Sequence, residues 1–223
     1  NVVRRSSAFC GPWFPACRWL KKRIELMYLT SIEIEALQLS LQVAFLAVGT
    51  SLPLAIVVAW CLSRKSFPGR FLLDSIVHLP LIVPPVAVGY TLLVLMGRQG
   101  MVGSWLWDTF QVSISFSWKG AAVAAGVMAF PLMVRAIRLG FDAVDPKLEQ
   151  AARTLGARPS AVFFSVTIPL IFPSLITGFI LAFARCIGEF GATITFVSNI
   201  PGETRTLPLA LYTAIQSPGG EVA

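Results

Sequence analysis

Charge is what this sequence has least of. Asp, Glu, Lys and Arg make up 13% of its 223 residues, about half the share of an ordinary soluble domain. So little polar surface excludes a disordered tail and argues against a soluble enzyme. Histidine is nearly absent, with only His78 present, and it reads as a structural or interfacial residue. The chain has no HExxH pair, no GxSxG elbow and no GxxxxGK(S/T) phosphate loop, so the common signatures of metal, nucleophilic and nucleotide chemistry are missing. The four cysteines, Cys10, Cys17, Cys61 and Cys186, form no CxxC or other zinc spacing and read as small buried hydrophobes. No catalytic residue, metal or cofactor is expected.

Apolar residues are abundant, at 56% with a mean hydropathy of +0.74, and they come in blocks. Ala36 to Ser63 runs without a charged residue, and its length exceeds the roughly 20 residues a membrane helix needs. Four spans are predicted, at about 36–62, 75–97, 118–137 and 174–198. The second holds Pro80, Pro84 and Pro85 and reads as a kinked span, because neighbouring helices in a bundle can satisfy the freed carbonyls. The third reaches span length by continuing past Arg135 and Arg138, whose long side chains can snorkel to the interface. Between the second and third, Arg98–Lys119 is a polar-aromatic connection whose Trp105, Trp107 and Trp118 suit a membrane interface. The fold class is therefore an all-α integral membrane protein in contact with the lipid bilayer.

The net charge of +7 would suit a nucleic acid or an anionic surface, but its distribution argues otherwise. Residues 1–26 hold six basic residues and one acid, which leaves twelve basic against ten acidic residues, +2, for the rest. No nucleic-acid partner is expected. Of those twelve, three lie between 63 and 75 and five between 135 and 158. Cytoplasmic loops collect Lys and Arg, so both loops face the cytoplasm and the first span starts outside. Six basic residues at the N-terminus conflict with that orientation. The conflict disappears if translation begins at Met27, so 1–26 is expected to be misassigned upstream sequence and 27–223 the membrane domain.

The charged loop 138–160 carries a well-signalled short helix. Asp145 suits the cap, Pro146 the first helical position and Gly156 a left-handed stop. Leu148, Ala151 or Ala152, and Leu155 fall on one stripe, and Glu149 and Arg153 stand four apart. Such a helix suits docking against a close partner, or lying on the membrane surface. In the fourth span, Arg185 and Glu189 are one turn apart and share a face. Charges at that depth persist when paired or facing a cavity. The pair either fixes packing or places Arg185 on an anion pathway with Glu189 orienting it. Gly188 and Gly191 suit either close helix approach or bending at a gate.

Gln150-Ala151-Ala152-Arg153-Thr154-Leu155-Gly156, followed after nine residues by Val166-Thr167-Ile168-Pro169, resembles the EAA loop of bacterial ABC importer permeases. Gln150 stands at that family's Glu position, with Glu149 beside it. The segment Phe183 to Phe196, then Asn199 to Thr206, together with His78-Leu79-Pro80, Pro84-Pro85 and Phe130 to Arg135, is similar to molybdate permease subunits of that family. Sulfate and thiosulfate permeases agree more loosely, and a channel or a membrane-embedded enzyme are the readings from other classes.

The resemblance implies a type I ABC importer permease fold, with a fifth span expected beyond Ala223. It implies a bacterial inner-membrane location, a permease homodimer, two cytoplasmic ATPase subunits that hydrolyse the ATP, and an extracytoplasmic oxyanion-binding protein. Glu149, Gln150, Ala151, Ala152 and Gly156 are then the candidate coupling residues toward the ATPase. Arg185, Gly188, Glu189, Gly191 and Thr193 are the candidate translocation pathway and gate.

Overall fold

The computed structural model describes residues 31–111 and 113–216; the N-terminal extension 1–26 and Met27 lie outside them. Among the described residues are ten α-helices, one π-helical turn and no strand. The helices are α1 (Ser31–Arg64), α2 (Arg70–Ile82), α3 (Pro85–Met96), α4 (Met101–Phe110), α5 (Trp118–Ala143), α6 (Pro146–Thr154), α7 (Pro159–Val162), α8 (Ile168–Ile187), α9 (Gly191–Val197) and α10 (Leu207–Gln216). The π turn, Phe163–Thr167, joins α7 to α8.

Among the described residues, three helical stretches are long and apolar enough to cross a membrane: Glu33–Arg64, Trp118–Ala143 and the run Pro159–Ile187. Of these, α5 is central. In its most apolar window 67% of the residues are buried, against 28% and 22% for the other two. The reason lies in the sequence. Ala121, Ala122, Ala124, Ala125 and Ala129 keep α5 narrow, and small side chains let neighbouring backbones approach in a membrane bundle. Ser117 caps the helix start, its Oγ accepting from the Gly120 N–H at 3.3 Å. α5 continues past Arg135 and Arg138 to Ala143. α8 packs along it, bringing Ile171, Ala182 and Cys186 into one core with Met133 and Ile137.

The second predicted span is broken rather than kinked. α2 and α3 meet at 114°, and at about 20 and 18 Å neither alone covers the roughly 30 Å hydrocarbon thickness. The cause is local. Pro84 and Pro85 are consecutive and lack N–H donors. Val83 takes the extended backbone (ψ 137°) that a following proline imposes, and Pro84 follows at ψ 134°.

The predicted fourth span also differs. The helix starts well before Ser174 and stops at Ile187, and α9 restarts at Gly191. The π turn ends two residues before Pro169, which cannot donate to the ladder, and the Ile168 N–H closes it by reaching back to the Phe163 carbonyl. The polar-aromatic connection contains a helix of its own, α4, with Arg98 over the Trp107 ring at 4.1 Å.

Candidate functional site

At the end of the bundle where α1 and α5 finish, α6 forms as its signals require. Asp145 Oδ1 accepts from the Lys147 N–H at 2.9 Å, Pro146 occupies the first turn, and Gly156 takes φ +86°, the left-handed conformation that suits glycine at a helix stop. No residue of α6 is buried. Leu148, Gln150 and Ala151 are exposed, Ala152 is half-buried, and Leu155 just past the helix is 88% exposed. Leu148, Ala151 and Leu155 thus leave an apolar stripe uncovered on and just past this short helix.

Glu149 points the other way. The expected pairing with Arg153 does not form. Instead Glu149 Oε1 accepts from Arg64 Nη2 at the end of α1 and from Thr167 Oγ1 in the π turn, each at 3.0 Å. Arg64 Nη2 also reaches the Val144 carbonyl at 3.4 Å. The physical reason is burial. These partners lie between α6 and the bundle, where a carboxylate gains more from a cation than it does on the open helix face. Arg153 lines a groove of about 440 Å³ with Trp60, Phe163 and Thr167.

A second polar group ties the neighbouring helix ends. Arg138 on α5 donates to Asp74 on α2 at 3.0 Å, and Ser63 on α1 donates to Asp142 on α5 at 2.5 Å. His78 Nδ1 lies 3.3 Å from Asp74 Oδ1 and 2.8 Å from the Asp74 carbonyl, a structural position within this network.

The pathway candidates gather at the break between α8 and α9. Arg185 Nη1 and Glu189 Oε2 are 2.6 Å apart, with the Glu189 side chain 1% exposed and that of Arg185 28%. Glu189 Oε1 accepts from the Ala192 N–H at 2.9 Å, so one carboxylate ties Arg185 in the last turn of α8 to the first turn of α9. Thr193 is buried, its hydroxyl donating to the Phe190 carbonyl at 2.9 Å and lying 3.3 Å from that of Glu189. Gly191 marks a close approach. A Cβ there would lie 2.8 Å from Pro85 Cβ, and one on Gly89 would lie 2.6 Å from the Ala192 carbonyl oxygen. The broken ends of the second and fourth predicted spans therefore meet. Gly188 has ordinary φ (−84°) and room for a methyl group.

After α9 the chain turns through a bonded loop. Asn199 accepts from Arg205 Nε at 3.0 Å and donates to Thr213 on α10 at 2.8 Å, and Ser40 on α1 accepts the Leu207 N–H at 2.7 Å. Elsewhere a cleft of about 740 Å³ opens between α1, α2 and α5. Its lining is largely apolar and does not include Arg185, which suits an acyl chain or a helix better than an oxyanion.

Residues 51–217 match the family described as the binding-protein-dependent transport system inner membrane component. The chain belongs to this family. It is 63% identical over 195 residues to the molybdenum transport system permease protein ModB of Escherichia coli K12, covering 87% of this chain and 85% of that protein. It is 57% identical over 190 residues to ModB of Haemophilus influenzae, covering 85% and 83%. The sulfate transport system permease protein CysT of E. coli is 35% identical over 183 residues, covering 82% of this chain and 66% of its own. A solved structure, the crystal structure of an amino acid ABC transporter with histidines, overlays with a TM-score of 0.52 at 22% identity, covering 83% of this chain and 78% of that one. That likeness concerns the fold.

In this inner membrane component, three participants at the two sites escaped sequence reasoning. Arg64 counted only toward topology, Thr167 only toward the motif, and Gly89 was not singled out. Each acts through a partner on another element, a relation that periodicity does not carry. The pattern Val166-Thr167-Ile168-Pro169 did hold a signal: its Thr167 bonds to Glu149, the residue just before the loop motif and 18 positions earlier.

Proposed function

We infer that the chain is the membrane-spanning permease subunit of an ATP-driven importer for molybdate or tungstate. The observation that carries this reading is the contrast in identity, 63% to a molybdenum permease against 35% to a sulfate permease. Two copies would pair and recruit two cytoplasmic ATPase subunits, with an extracytoplasmic protein delivering the oxyanion. The exposed face of Leu148, Ala151 and Leu155 is the docking surface for the ATPase, with Gln150, Ala152 and Gly156 completing it. The basic residues on the 63–75 and 135–158 loops favour the cytoplasm for that end, which puts the start of α1 outside.

The discontinuities at Val83–Pro84 and at Gly188–Phe190 suit a site built near mid-membrane from helix ends, where irregular backbone is tolerated only against protein or a cavity. Arg185, partly exposed beside buried Glu189, is the cation for a divalent oxyanion. Gly188, Gly191 and Thr193 shape the gate around it by alternating access between inward- and outward-open states. The test is co-purification. A tagged permease is expected to retain a P-loop ATPase whose hydrolysis rises with a molybdate-loaded binding protein. Absence of any ATPase from a folded, membrane-extracted complex would refute the importer reading.

A further inference from the structure

The docking helix α6 has to pass force between the ATPase and the membrane bundle, so what attaches it to its own subunit decides how much motion reaches the spans. Along α6 itself there is little packing, since no residue is buried. Its attachment is polar and converges on one carboxylate. Glu149 Oε1 takes a hydrogen bond from Arg64 Nη2 at 3.0 Å and another from Thr167 Oγ1 at 3.0 Å. The Arg64 and Glu149 side chains are 20% and 16% exposed. Among the described residues Glu149 is the one carboxylate within ion-pair distance of Arg64, and Arg64 Nε is buried without a hydrogen-bond partner. The guanidinium therefore depends on Glu149 and on the Val144 carbonyl.

The three contributors come from separate elements. Arg64 ends the helix that begins the bundle, Glu149 lies on the docking helix, and Thr167 closes the π turn that leads into α8. A π turn is uncommon and is found frequently at functional sites. Here Thr167 is buried at its end and hydrogen-bonded to α6. α8 in turn carries Arg185 at its far end.

We propose that Arg64, Glu149 and Thr167 form a clasp that locks the docking helix to α1 and α8, making Glu149 a positioning residue for energy coupling rather than a contact to the ATPase. The proposal rests on the importer reading above. Its consequence is specific. Loosening the clasp lets α6 move with the ATPase while the spans lag behind, so ATP is spent without import.

The experiment uses the assembled transporter in liposomes with its ATPase and loaded binding protein, and measures molybdate imported per ATP hydrolysed. Glu149→Ala is expected to lower that ratio by about tenfold, the scale of one charge-assisted hydrogen bond. Thr167→Val is expected to lower it by roughly threefold, the scale of a neutral bond. Arg64→Lys, which keeps the charge, is expected to hold the ratio well above that of Arg64→Ala. The exchanged pair Arg64→Glu with Glu149→Arg is expected to recover more coupling than either single change, an outcome that a general loss of folding would not produce. Three results would each overturn the clasp: an unchanged ratio in Glu149→Ala, no difference between Arg64→Lys and Arg64→Ala, or an exchanged pair no better than its single variants. If the wild-type assembly hydrolyses ATP but imports no molybdate, the importer reading fails instead, so the two failures are distinguishable.

Discussion

Arg185 and Glu189 stand 2.6 Å apart at the end of α8, and the same carboxylate binds the Ala192 N–H that opens α9. Glu189 thus sits in the break, tied to a side chain of α8 and to the first turn of α9. Glu189→Ala frees the Ala192 N–H and leaves the partly exposed Arg185 without its counter-charge. Arg185→Ala leaves the buried Glu189 carboxylate uncompensated, which costs about 3 kcal/mol. A lower thermal midpoint in detergent is the expected result for both variants. Arg185→Ala should assemble yet lose transport. Intact uptake in an assembled Arg185→Ala complex would end its pathway role.

The glycines near that break differ in what they tolerate. Gly89→Ala drives a methyl group into the Ala192 backbone, and overpacking of this kind costs about 2 kcal/mol. Gly188→Ala meets only an ordinary contact at 3.7 Å. Thermal unfolding of the two variants in detergent should separate them, with Gly188→Ala close to wild type. Equal destabilisation would contradict the close approach of α3 and α9.

At the docking helix, sterics and backbone strain can be read apart. Ala151 is exposed, so Ala151→Trp should leave the permease folded and abolish retention of the ATPase on a tagged column. Gly156 has open space around it but φ +86°. Gly156→Val therefore meets strain rather than a clash, roughly 1–2 kcal/mol for a left-handed non-glycine residue. Its expected phenotype is weakened ATPase retention that improves at lower temperature. Wild-type retention by both variants would place the docking surface elsewhere.

Much of the fold was legible in the sequence because it follows from local chemistry. The apolar block after Ala36 and the alanine-rich run after Trp118 announce α1 and α5, and Asp145-Pro146 with Gly156 bounds α6 closely. The breaks were harder. Pro84-Pro85 signals a disturbance, but whether a chain kinks or turns through 114° depends on what receives the second helix. Here that is α9, through Gly89 and Gly191. The direction of Glu149 was hidden for the same reason. Its partner Arg64 is 85 residues away, while Arg153 on the same helix offered the obvious local pairing. Likewise Ser63 and Asp142 meet across 79 residues, a relation set by packing rather than by pattern.

Selectivity for the oxyanion is the most direct point of test. In liposomes holding the permease, its ATPase and its binding protein, ATP-driven uptake of radiolabelled molybdate would be measured against excess unlabelled tungstate or excess sulfate. Uptake that tungstate suppresses and sulfate leaves nearly unchanged is the expected result. Uptake suppressed by sulfate as strongly as by tungstate, or uptake that proceeds without ATP, would contradict an ATP-driven molybdate importer.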